Sequence, residues 1–183
     1  LYVENLSLRA DAVHARAVSL REDNLLKITT DGRLCALDIR LADKELYDEK
    51  SAGCTKTAAC ADKIMEICRE NPGTSQIVFS NIGTPKAAFN VYDDLKEKLI
   101  QRGMAPTRIA YIHEAATDQE KTDLFAAVNA GDISVVIGST PKLGTGVNVQ
   151  KRLIALHHLD VPWKPADMIQ REGRILRKGN RCE

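Results

Sequence analysis

Two stretches of the chain carry the residue types that handle phosphate. The first follows the apolar run Val135-Val136-Ile137 and reads Gly138-Ser139-Thr140-Pro141-Lys142-Leu143-Gly144-Thr145-Gly146-Val147-Asn148. Its glycines let backbone N–H groups approach an anion, and Ser139 and Thr140 add hydroxyl donors. It matches neither G-x-G-x-x-G nor a Walker A loop, so on its own it reads as a tight surface loop. The second stretch, Pro165 to Arg177, has helical periodicity with proline in its first turn. At about 100° per residue, Met168, Ile169, Ile175 and Leu176 share one side, while Asp167, Gln170, Arg174 and Arg177 share the other. The spacing predicts one stripe on the core and two guanidiniums three residues apart on the opposite face. Such a pair suits bidentate phosphate binding or stabilisation of a transferring phosphoryl group, and the alternative is a solvated charged face.

Other features carry less chemistry. Gly53-Cys54-Thr55-Lys56-Thr57 lacks the G-K-[ST] order and follows no strand, so it reads as a helix cap. Asp48-Glu49 follows no apolar strand and is not a metal-holding acidic box. His157 and His158 are adjacent on a predicted strand and therefore face opposite ways, so no metal site is expected there with Asp160. Trp163 is expected to be a packing anchor. Five cysteines, an odd number with no C-x-x-C pair, argue against a disulfide framework or a zinc ribbon and point to the cytoplasm. Cys60 and Cys68 share one helix face and are expected to behave as small buried hydrophobes.

The elements that position these residues follow from periodicity. Residues 1–52 show helical spacing around an expected break at Asp31-Gly32, and Ser51 to Thr57 is a small-residue connector. From there helices and strands alternate: helix 58–70, strand 76–79, helix 86–102, strand 108–112, helix 118–130, strand 133–137, strand 153–157 and helix 165–177. This alternation predicts an α/β fold, a three-layer parallel sheet with helices on both faces, preceded by an N-terminal helical extension. The expected division is an extension over 1–52 and a lobe over 53–183. Composition agrees: 183 residues with 44% hydrophobic and 28% charged can bury a sizeable core, and no apolar run approaches a membrane span. The net charge is only +1, yet residues 151–183 hold eight basic and four acidic side chains. The C-terminal stretch is where anions are expected. The chain opens without Met and is expected to be a piece of a longer protein.

In order along the chain, these pieces resemble the second, C-terminal RecA-like lobe of superfamily-two helicases, with the Swi/Snf-like branch the nearest match. Gln76-Ile77-Val78-Phe79-Ser80 resembles the family's motif IV, and Gly138-Ser139-Thr140 through Asn148 resembles motif V. Trp163-Lys164-Pro165 followed by Gln170-Arg171-Glu172-Gly173-Arg174-Ile175-Leu176-Arg177-Lys178-Gly179-Asn180 resembles motif VI. The chain departs from the branch pattern at Leu143, Leu176 and Asn180, where Gly, His and Gln are usual. Leu26 to Arg33 and Leu156 to Asp160 are also similar to helicase regions of large phage or conjugative-element proteins, which often carry a DNA methyltransferase region.

The resemblance implies an ATP-driven DNA translocase or helicase in which two lobes close on ATP and Mg²⁺. By position, Arg174 and Arg177 are implied arginine fingers and Gln170 their orienting partner. Gly144, Gly146 and Asn148 are implied on the nucleotide side, and Ser80, Ser139 and Thr140 on the DNA backbone. No Walker A lysine and no acidic box occurs in this sequence. The implied partners are therefore a first lobe of the same polypeptide and DNA, with no membrane. The 183 residues alone are expected not to hydrolyse ATP. The alternative is a non-catalytic nucleic-acid or protein docking module.

Overall fold

A computed structural model describes residues 2–48, 53–86, 89–144, 149–176 and 178–182. The chain divides into two compact units, Leu1–Ser51 and Ala52–Glu183. In the first, helix α1 (Tyr2–His14) packs with helix α2 (Leu25–Leu37), and two short 3-10 turns follow. Asn24 caps α2 by accepting the Lys27 N–H, and Arg9 ties the pair together through Asp23 at 2.6 Å and Asp31 at 2.9 Å. Helix α2 runs through Asp31-Gly32 without the expected break. Gly32 costs helix propensity there, but the helix is carried through it by packing against α1; a Cβ at this position would make only an ordinary contact with Leu6, at 3.5 Å.

The second unit is a four-stranded parallel sheet with helices on both faces. Helix α3 (Lys56–Glu70), strand β1 (Ser75–Phe79), helix α4 (Val91–Gln101), strand β2 (Ile109–Tyr111), helix α5 (Asp118–Ala130), strand β3 (Val135–Gly138), helix α6 (Thr140–Gly144), strand β4 (Leu153–His158) and helix α7 (Pro165–Glu172) follow in turn. The strand order is β2-β3-β1-β4, and all three pairings are parallel. Helix starts are set by side-chain caps at Thr55, Asn90 and Thr117, and Thr117 forms a full capping box with Glu120. Helix α5 stops at Gly131, whose φ of 93° is left-handed.

Alternation along the strands separates two buried layers. Ile77, Phe79 and Val136 join Ile112, Val128 and Leu143 in one core, with Leu124 and Phe125 of α5 against it. On the other face lie α3 and α4, where the wholly buried Gln76 donates its amide to the Ile64 carbonyl of α3 and Tyr92 of α4 donates to the Ser80 carbonyl. His157 takes this second face, where its Nε2 meets the side-chain Oε1 of Gln76 at 2.8 Å, whereas His158 stacks on Phe79 on the first.

Three expected elements end differently. Helix α4 begins at Val91, not at residue 86, because Asn90 adopts an extended backbone and its side chain accepts the Asp93 N–H. The loop after β3 opens as α6, which turns Leu143 into the core. Helix α7 ends at Glu172, where Gly173 is followed by tight turns rather than a further helical turn. The buried side of α7 is also turned from the apolar stripe toward Arg171, although Ile175, in the turns that follow, still packs on the core. Arg171 and Arg174 are inside, while Ile169 and Leu176 are 69% and 81% exposed. The expectation that Arg174 lies on the outer face is therefore corrected, and Arg177, its expected partner there, lies outside the described residues. For Arg171 the reason is a set of acceptors at the strand ends that a guanidinium satisfies.

Candidate functional site

That set of acceptors forms a closed ring at the carboxyl end of the sheet. Arg171, 1% exposed, donates Nε to Thr140 Oγ1 at 2.7 Å, Nη1 to the Asp160 carbonyl at 2.8 Å, and Nη2 to Asp160 Oδ1 at 2.9 Å. The other carboxylate oxygen of Asp160 accepts the Asn81 N–H at 3.0 Å, and Asn81 Oδ1 accepts the Thr140 N–H at 2.7 Å. His158 Nδ1 lies 3.4 Å from Nη1, and the guanidinium carbon sits 5.1 Å above the Phe79 ring. Four segments thereby meet: the residues after β1, β3 and β4, and the face of α7. A buried charge is tolerable only when paired and hydrogen-bonded, and this arrangement supplies both.

The sequence-predicted residues distribute around the ring. Ser80 is wholly buried and its hydroxyl donates to the Ile82 carbonyl at 2.7 Å. Thr140 is 4% exposed, with its hydroxyl accepting from Arg171; Ser139 beside it is also buried. All three hydroxyl-bearing residues thus sit inside the lobe, and two hydroxyls hold the strand ends in place. Gln170 is exposed, and Arg174, 3% exposed, lies in the turn after α7 with its N–H on the Arg171 carbonyl. Gly144 is the last residue of α6. Gly146, Asn148 and Arg177 lie outside the described residues.

Gly138 has a packing role that its place in a glycine-rich loop concealed. A Cβ there would lie 2.5 Å from both Ile112 Cγ2 and Leu143 Cδ1. Asn81, Asp160 and Arg171 were likewise missed. The readable signal was an arginine at the edge of the apolar stripe of α7, beside Met168 and Ile175 on the wheel.

A cleft of about 520 Å³ opens between α5 and the start of α6, lined by Ala116, Lys121, Thr122, Phe125, Pro141 and Lys142. Lys142 is exposed, whereas Lys121 pairs with Asp118 at 3.0 Å. Burial, with a smaller contribution from Lys142, holds the imidazole of His113 below its usual pKa. His158 is held down likewise, by burial first and then by the Arg171 charge, which keeps it a neutral neighbour for the guanidinium. Among the described residues no group of His, Cys, Asp or Glu is arranged to hold a metal. None of the described helices is long and apolar enough to cross a membrane.

Comparison with known proteins fits this geometry. No curated protein sequence matches the chain. Among solved structures, the "Crystal structure of the C-terminal part of Fun30 ATPase domain" is similar, with a TM-score of 0.54 and 18% identity over 86% of this chain. The match covers 47% of that structure, so the chain spans about half its length, and the likeness is one of fold. The family model described as "Helicase conserved C-terminal domain" matches residues 59–179, two thirds of the chain and every element from α3 to α7. The chain belongs to the helicase conserved C-terminal domain family.

Proposed function

We propose that this chain is the second motor lobe of an ATP-dependent DNA translocase or helicase of the Swi/Snf-like branch. The observation that carries the reading is the ring itself. It draws the segments after β1 and β3 and the helix α7, which bear the three sequence motifs, to one end of one sheet. Ligands of open parallel sheets gather at that end. Lys142, beside the loop after β3, supplies positive charge for a DNA phosphate backbone, and the buried hydroxyls of Ser80 and Thr140 shape the loops that present it.

Arginine side chains suit a phosphate, and Arg174 with Arg177 would act on ATP held by another lobe, with Gln170 beside them. Mg²⁺ does not fit the described residues. Asp160, the carboxylate at the strand ends, is committed to Arg171 and Asn81. The metal belongs with the other lobe in this reading. Arg174 is buried in this lobe alone, so its side chain must swing outward when the lobes close. Burial of Arg174 is also what a docking module without catalysis would show.

Steady-state ATP turnover in the two-lobed protein separates the readings. Arg174→Ala should cut DNA-stimulated turnover about 10³-fold, as loss of an arginine finger does elsewhere, while DNA binding stays near normal. Near-normal turnover by the folded variant favours the docking module.

A further inference from the structure

We propose that Arg171 is a positioning residue that couples the loops after β1 and β3 to α7 through Asp160. This rests on the motor-lobe reading for its consequence, but its structural content stands on the ring alone. Arg171 touches neither the Asn81 nor the Thr140 N–H, yet both depend on it. The Asn81 N–H is bound to a carboxylate that Arg171 orients, and the Thr140 N–H is bound to the Asn81 side chain so placed. Thr140 Oγ1 closes the circuit by accepting from Arg171 Nε. Each member has a partner on a different segment, so a shift of one loop cannot occur without breaking the ring or moving α7 with it. The planar guanidinium is what allows this. Its fork reaches Thr140 and both acceptors of Asp160 at once, which an ammonium on a flexible stem does not reproduce.

The charge itself does not call for this site. Pairing Asp160 with any nearby cation at the surface would avoid burying an ion pair at 0% and 2% side-chain exposure. Buried pairs of this kind add little net stability over apolar packing but are costly to half-remove, and they fix one arrangement over others. Here the arrangement fixed is the register of α7, and of the Arg174 turn that follows it, against the loops facing the proposed DNA path. Burial of so polar a ring at the convergence of three strand ends is the observation that points to coupling rather than to bulk stability.

Amide hydrogen exchange on the 183-residue chain tests the structural part without any assay of turnover. In Arg171→Gln, exchange at the Asn81 and Thr140 amides should quicken at least about tenfold, while core amides such as Leu99 in α4 keep their protection. Arg171→Lys, which keeps the charge and is the milder change, should show the same pattern and serves if the glutamine variant does not fold. Unchanged exchange at both amides, or equal quickening throughout the unit, overturns the proposal. In the two-lobed protein, Arg171→Lys should then lower DNA-stimulated kcat about tenfold or more while KM for ATP changes less than about threefold. A loss confined to thermal stability, with normal kcat per folded molecule, also overturns it. A wild-type protein with no DNA-stimulated turnover strikes the motor-lobe reading and leaves the exchange result to decide the ring.

Discussion

Replacing Gly138 by alanine should destabilise the second unit far more than its small size suggests. The added methyl would stand 2.5 Å from Ile112 Cγ2, 2.5 Å from Leu143 Cδ1 and 2.8 Å from Leu143 Cγ. Carbon atoms pack at about 3.5–4.0 Å, so the two contacts at 2.5 Å overlap by about 1 Å or more and the third by about 0.7 Å or more. Neither neighbour has room to yield, because Ile112 is wholly buried and Leu143 is 1% exposed. Relief requires moving α6 off the sheet or forcing Leu143 out of its rotamer, and overpacking of this kind costs about 1–3 kcal/mol. Two blocked neighbours place the cost at the upper end, about 3 kcal/mol, or about 6–12 °C in Tm for a protein of this size. Two control glycines sharpen the test. At Gly53 an added methyl would meet no atom within 4 Å, and its φ is ordinary, so Gly53→Ala should change stability by less than about 0.5 kcal/mol. Gly103 is equally open but has a φ of 96°, so Gly103→Ala should cost about 1 kcal/mol from backbone strain alone. Thermal and urea unfolding followed by circular dichroism, with the m-value checked, measures all three. A Gly138→Ala Tm within about 2 °C of the parent, or an order of cost other than Gly138, Gly103, Gly53, refutes the packing argument.

Acid should weaken the fold through His157, whose pKa burial pushes down to about 4 from 6.5. Its stabilising effect is complete above about pH 6.5 and is lost as the pH falls toward 4, because the unfolded chain takes up the proton first. Between about pH 7.5 and about pH 5 this amounts to about 2 kcal/mol, and urea unfolding of His157→Gln should show a pH dependence smaller by that amount. An unaltered dependence counts against the burial argument. Thr117→Ala removes a capping box and should cost about 1 kcal/mol, readable as faster exchange in the first turn of α5 with little change elsewhere.

Much of this lobe is legible in one dimension because local chemistry sets it. Thr117 with Glu120 three residues on, and Gly131 after a periodic run, bound α5 at Asp118 and Ala130, as periodicity alone predicts. Short β-branched runs around Ile77 and Val136, separated by helical spacing, demand parallel crossovers and hence the sheet that forms. The family resemblance of residues 76–80, 138–148 and 163–180 rests on residue order, which needs no coordinates. What the sequence could not show is which groups satisfy one another across 59 or 79 positions, as Thr140 and Asn81 or Asn81 and Asp160 do. A helical wheel places Arg171 at the edge of the apolar stripe but cannot show that its charge is satisfied inside. The folded protein brings Thr140, Asp160 and His158 within reach of one guanidinium, and desolvation is then offset by hydrogen bonds that no local window contains. Gly138 shows the same limit from the side of sterics. Its need for no side chain comes from Ile112 and Leu143, and only their meeting in the tertiary core decides it.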